Sequence, residues 1–227
     1  MQPSSRSLGV TRPAATASGL ARGEARRLGH QYLGPEHLLL GLLLQGDNPA
    51  ARVLADHGLD VEATRAEVDR LIARGVLPRP QPTDTELLAT LGVDLDTVHA
   101  RAQEAFGEHA YWEAVQRVQH RTTQAVPHAP HVRTDPAPLV CGRALRAAYD
   151  EAVARNQEIG PEHLLLGLLA EAEDPVGTHL TARERRQRTL LGLPDRGPHP
   201  IRLLVEARGT TVDRLRSAVL EELDQAP

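Results

Sequence analysis

The 227-residue chain contains no lysine, and all 26 of its basic residues are arginine. A P-loop lysine, a Schiff-base lysine and a lysine general base are therefore excluded in this chain. Aromatic residues are almost as scarce, with one Trp, three Tyr and one Phe, so the core must be built from Leu, Val and Ala. A single cysteine, Cys141, excludes an internal disulfide and leaves no cysteine cluster for zinc. The 30 acidic residues exceed the basic ones, and the net charge of −4 lacks the electrostatic footprint of a general nucleic-acid binder. The longest apolar runs, near 38–44 and 164–170, span two helical turns and each contains a glycine. A bilayer span needs ~20 apolar residues, so neither crosses a membrane. Residues 1–17 carry no apolar segment of signal-peptide length. These absences predict a cytoplasmic protein of a reducing compartment, with neither membrane nor nucleic acid as partner.

The chain repeats itself. GPEHLLLGLL occurs at 34–43 and again at 160–169, an offset of 126. Upstream, Glu24 and Ala25 correspond to Glu151 and Ala152, with one residue fewer in the second copy. Downstream, the segment from Pro49 aligns with the segment from Pro200 at an offset of 151, which places a 25-residue insertion within 172–200. A third partial copy begins at Leu91 and resembles the end of the first.

Each copy reads as helices. Pro35 suits a first helical position, because its missing N–H would be unpaired there anyway. Glu36 falls in the first turn, favourable against the helix dipole. The run 38–44 is apolar almost all round, which predicts a buried helix. Gly46, Asp47 and Asn48 break it, and Pro49 opens another helix. Gly58 closes that one, and Asp60 is a predicted N-cap for Val61–Ala73, with Thr211 in its place in the second copy. Further helices are predicted near 14–28 and 138–155, the first weakened by Gly19 and Gly23. The chain therefore reads as all-α. A disordered tail is expected at 1–17, a four-helix repeat at 18–74 and intervening helices at 83–122. A Pro/His-rich linker follows at 123–137, and a second four-helix repeat at 138–224 carries the insertion near 172–200.

EARRLGHQYLGPEHLLLGLL, followed by GDNPAARVLADHGLDVEATRAEV, resembles the Clp N-terminal repeat domain, its ClpC type most of all. The second copy matches at GPEHLLLGLL and its last helix, but lacks the LGH. The resemblance covers about 18–73 and 138–223, and implies a pseudo-twofold pair of four-helix repeats. In that family the domain precedes ATPase modules. This chain has no GxxxxGK[ST] loop, so the resemblance implies a stand-alone N-domain protein without the motor. It further implies a non-catalytic module that needs no cofactor. Such a module delivers or sequesters substrates or ligands of a Clp unfoldase–protease.

Glu36 and Glu162 occupy equivalent positions, and the resemblance implies that each contacts arginine-phosphorylated protein or a degron. A carboxylate can accept a guanidinium fork, and a helix N-terminus attracts phosphate. Pro35 and Pro161 count against the phosphate, since proline offers no N–H. The plainer reading makes both glutamates first-turn residues favourable to the dipole. His37 and His163 are expected to make local hydrogen bonds rather than hold metal, and no HExxH is present. His120, His128 and His131 lie in or beside the linker, where only adventitious metal binding is expected. Arg183, Arg185, Arg186 and Arg188 form a basic cluster that is either a solvated face paired with Glu184 or a docking surface for an acidic partner. Tyr111 and Trp112 are read as core anchors of the intervening helices. The alternative function, a hydrolase using Cys141 or a histidine, lacks any base-and-orienter spacing. Cys141 is instead expected as a buried structural thiol.

Overall fold

The computed structural model describes residues 9–80, 89–123 and 140–225, and these fall into two units. One unit holds the chain up to residue 80 and from residue 137 onward, and the other holds residues 81–136. The linker expected at 123–137 lies, apart from its first residue, outside the described residues. The chain is all-α: among the described residues there are helices and only two isolated β-bridges.

In the first unit, repeat one is α1 (Arg12–Arg27), α2 (Pro35–Gln45), α3 (Pro49–Asp56) and α4 (Val61–Ala73). The second unit contributes α5 (Leu95–Phe106) and α6 (Glu108–Thr123). Repeat two is α7 (Gly142–Arg155), α8 (Pro161–Ala172), α10 (Pro200–Glu206) and α11 (Val212–Gln225), with α9 (Ala182–Leu190) inserted. Helix α1 begins at Arg12, capped by the Thr11 hydroxyl, so it occupies part of the stretch expected to be a tail. The tail reading fails over Arg12–Ala17, which is helical, with Ala14 and Ala17 fully buried.

The shared decapeptide has a packing reason. A Cβ on Gly41 would lie 2.2 Å from the Ala17 carbonyl oxygen, and one on Gly167 would lie 2.1 Å from that of Ala144. Glycine lets α2 approach α1, and α8 approach α7, to backbone contact. The facing helices answer with small residues, Ala14, Ala17, Ala21 and Ala25 on one and Ala144, Ala148 and Ala152 on the other. The flanking leucines, Leu39, Leu40, Leu165 and Leu166 among them, are fully buried in one core common to both repeats. Each repeat is also clamped by a charged pair between its first and last helices. Glu24 binds Arg65, and Glu151 binds Arg216 at 2.9 Å.

The repeats exchange equivalent contacts. Thr11 N–H donates to Ile159 O at 3.0 Å, and Val140 N–H donates to Leu33 O at 2.9 Å. Each acceptor immediately precedes the Gly-Pro-Glu-His of its copy, and each donor leads into the first helix of the other copy. Helix α2 packs on α8 and α10, and α8 packs back on α3. This reciprocity is what a pseudo-twofold pair requires. The side chains at these entries reach the same acceptors: Cys141 Sγ contacts Leu33 O at 3.7 Å, and the Thr11 hydroxyl contacts Ile159 O at 3.3 Å.

In the second unit α5 packs on α6. Gly92 takes φ +79°, as Gly58 takes +75° in repeat one, and each sits just ahead of a helix opened by an aspartate, Asp94 or Asp60. The third partial copy thus preserves a turn-to-helix joint. Trp112 does not anchor a core: it is 49% exposed, and Phe106 is 73% exposed. Two helices enclose too little interior to bury such side chains.

Candidate functional site

The Gly-Pro-Glu-His sequence builds the same local device twice. Gly34 and Gly160 are extended residues just ahead of their helices, and Pro35 and Pro161 take the first helical position. The histidine three residues after each glycine turns back. His37 Nδ1 accepts Gly34 N–H at 3.0 Å, and His163 Nδ1 accepts Gly160 N–H at 3.1 Å. This is the local hydrogen bond expected of both histidines. The glutamates also fold back, over the space a Cβ would occupy on the preceding glycine.

Because Nδ1 accepts, the neutral ring carries its proton on Nε2. In copy one that N–H meets His30 Nδ1 at 2.9 Å, and His30 Nε2 donates to Pro78 O at 3.0 Å. His30, Glu36 and His37 lie close enough together to suggest a metal site. The hydrogen-bond chain uses every ring nitrogen, however, so no lone pair remains for a cation. Burial holds both rings below the usual histidine range. In copy two the frame of Glu24 and Glu151 puts Gln157 where His30 stood. His163 Nε2 is accordingly buried without a hydrogen-bond partner among the described residues.

The surroundings of the two glutamates differ. Glu162, with its side chain 15% exposed, borders an open groove of about 660 Å³. Glu158, Gln157, Pro49 and Arg52 also border it, and Arg52 is held by Glu222 at 2.5 Å. Glu36 is 1% exposed, and its Oε1, with His37 Nδ1 3.5 Å away, has no hydrogen-bond partner among the described residues. It lines a cavity of about 30 Å³ with Tyr32, Arg143, Glu171, Arg188 and His199. Burial drives the Glu171 carboxyl up to about 7 and the His199 ring down to about 4. The Tyr32 phenol is raised by burial and by Glu36.

The insertion decides this difference. Three residues, 46–48, join α2 to α3, whereas 173–199 join α8 to α10. Pro49 borders the Glu162 groove, and its counterpart Pro200 borders the Glu36 cavity, so the insertion lies on the first site and not the second.

The arginine cluster is not one surface. Arg183 and Arg186 are exposed, but Arg185 donates to Gly177 O at 3.2 Å and Arg188 to Pro194 O at 2.8 Å. Glu184 pairs with none of them; it caps the helix through Thr181 N–H at 2.7 Å. Helical spacing turns Arg185 and Arg188, three apart, to the inner side. Cys141 is 1% exposed, and burial pushes its thiol up to about 12, the wrong direction for a nucleophile. Sequence reasoning missed Tyr32, Arg143, Glu171 and His199. The signal available for His199 was the Pro49–Pro200 alignment, which marked it as the residue opening a helix; that it borders the Glu36 cavity came from the fold.

Residues 10–105, which take in α1–α4 and nearly all of α5, match the Clp repeat N-terminal domain. A probable ATP-dependent Clp protease ATP-binding subunit of Chlamydia pneumoniae is 54% identical over 56 residues, 25% of this chain and 7% of that protein. The chaperone ClpC1 of Oryza sativa, chloroplastic, is 48% identical over 56 residues, 25% of this chain and 6% of the relative. The chain thus spans a small fraction of the curated relatives it matches. The N-terminal domain of ClpD from Arabidopsis thaliana overlays 97% of this chain and 99% of its own with a TM-score of 0.48 and 15% identity, too loosely to compare sites. No helix among the described residues is long and apolar enough to cross a membrane.

Proposed function

Because the chain carries a Clp repeat N-terminal domain, we propose that it is a non-catalytic capture module. It takes an arginine-bearing peptide, arginine-phosphorylated protein included, at the groove beside Glu162, and delivers it to or withholds it from a Clp unfoldase–protease. The observation that supports this is the groove itself. Glu162, at the start of α8, lines the groove together with Glu158, while Arg52, the one arginine among the described residues that borders it, is already taken by Glu222. Among the described residues neither carboxylate pairs with an arginine, Glu162 having only His163 Nδ1 at 3.0 Å, and two such carboxylates suit a guanidinium. The α8 N-terminus adds backbone N–H groups for a phosphate, less the one that Pro161 removes.

Calorimetric titration with arginine and with phosphoarginine tests the reading. Binding is expected in the wild type and is expected to fall ~10–150-fold in Glu162→Gln, the equivalent of one charge-assisted hydrogen bond. Pro161→Thr should strengthen phosphoarginine and leave arginine unchanged. Equal binding by wild type and Glu162→Gln would refute the site.

A further inference from the structure

We infer that the 173–199 insertion fills the first of the two equivalent sites from within. Arg188 lies on the cavity wall with Glu36 and supplies from within the chain the positive charge a ligand's guanidinium would bring, so the chain offers one open site, at Glu162. The stoichiometry rests on the reading of the two glutamates as equivalent cation-binding groups; the internal plug does not.

The insertion is a closed structure. Val176 N–H donates to Gly197 O at 2.8 Å, which ties its two ends together, and Arg185 reaches back to Gly177 O at 3.2 Å. Arg188 lies in the last turn of α9, and its Nε–H donates to Pro194 O at 2.8 Å, which sets the plane of the guanidinium. The guanidinium shares the wall of the 30 Å³ cavity with Glu36 and Glu171. That space holds roughly two waters and no larger group. The other guanidinium on this wall, Arg143, is already held by Asp174 at 3.3 Å. The terminal nitrogens of Arg188 have no protein acceptor among the described residues, so its charge acts on Glu171 and Glu36 across the cavity. A buried carboxylate with an unpartnered oxygen needs such a cation. In the second copy the three-residue turn before Pro49 supplies no counterpart, and the groove stays open.

Two measurements test this. Arg188→Ala leaves a guanidinium-sized gap. Methylguanidinium at millimolar concentration should raise the melting temperature of Arg188→Ala. It should not raise that of the wild type or of Arg188→Ala/Glu36→Gln. If the alanine variant does not fold, Arg188→Met fills the volume without charge. Its melting temperature should fall, and adding Glu36→Gln should restore part of the loss. Titration of arginine should then give one ligand per chain for the wild type, two for Arg188→Ala, and one again once Glu36→Gln is added. Absence of both the methylguanidinium response and the Glu36→Gln restoration overturns the plug. Two ligands on the wild type overturn it as well, while leaving the proposed function standing. Methylguanidinium rescue with no arginine bound by any variant supports the plug and overturns the proposed function.

Discussion

Replacing Gly41 or Gly167 with alanine should destabilise the protein, although glycine to alanine inside a helix ordinarily stabilises by about 1 kcal/mol. A new Cβ at 41 would sit 2.2 Å from Ala17 O and 2.8 Å from Ala21 N; at 167 it would sit 2.1 Å from Ala144 O and 2.8 Å from Ala148 N. These are backbone atoms of a neighbouring helix and cannot rotate away. Helix α1 or α7 must shift as a body, and overpacking of that kind costs typically about 1–3 kcal/mol and occasionally more. Propensity recovers only about 1 kcal/mol, so the expected net loss is up to about 2 kcal/mol at each site. Gly19 and Gly23 in α1 provide the control, because a Cβ there meets nothing within 4 Å. Gly19→Ala and Gly23→Ala should each stabilise by roughly 0.5–1 kcal/mol. Urea denaturation of the four single variants, with the slope of the transition monitored, checks both signs at once. Stabilisation by Gly41→Ala and Gly167→Ala comparable to that of Gly19→Ala would refute the close helix approach on which the fold description depends.

Truncating the shared core should act alike in the two repeats. Leu39→Ala and Leu165→Ala, both fully buried, should each cost about 2–5 kcal/mol in the same assay, and a loss below ~1 kcal/mol at either would contradict its placement. Glu171 makes stability depend on pH. Its carboxyl titrates near 7 in the folded protein against an ordinary 4.5, so its contribution is fully present below about 4.5 and is lost as pH rises through about 7. Glu171→Gln should therefore gain up to roughly 3 kcal/mol over wild type at pH 8 and little at pH 4.5, and an equal effect at both pH values would refute the assignment. The Cys141 thiol should react with a disulfide reagent only as fast as the protein opens; immediate labelling in native buffer would contradict its burial.

Much of the candidate site was legible in the sequence because the repeat carries its own local chemistry. Gly-Pro-Glu-His specifies an extended residue, a helix start, a first-turn carboxylate and an imidazole that turns back, all within four residues, and both copies adopt it. The decapeptide's glycine and the alanines of the preceding helix are likewise a local pattern, and they set α1 on α2 and α7 on α8. The helix predicted near 14–28 is observed as Arg12–Arg27, and its first turn was hidden by the tail reading because nothing in the sequence shows that Ala14 and Ala17 join the core. The exposure of Trp112 was not legible either, since a large aromatic side chain is buried only where enough chain surrounds it.

The identical decapeptides determined that the chain has two equivalent glutamates, two helix starts and one repeated core helix. Only the tertiary structure decided that those glutamates are not equivalent in use. The insertion that distinguishes them is more than ten residues along the chain from Glu162 and more than 130 from Glu36, yet it lies on Glu36. It does so because the repeats exchange partners, so that the segment entering α10 borders the other copy's glutamate. An arginine-rich stretch reads from sequence as a charged surface, since periodicity says which residues share a helix side but not what that side faces. The fold turned Arg185 and Arg188 inward and left Arg183 and Arg186 in solvent. Sequence neighbours set the local hydrogen bonds; the burial of Glu36, the rise in Glu171 and the open groove at Glu162 follow from which distant segment closes over each site.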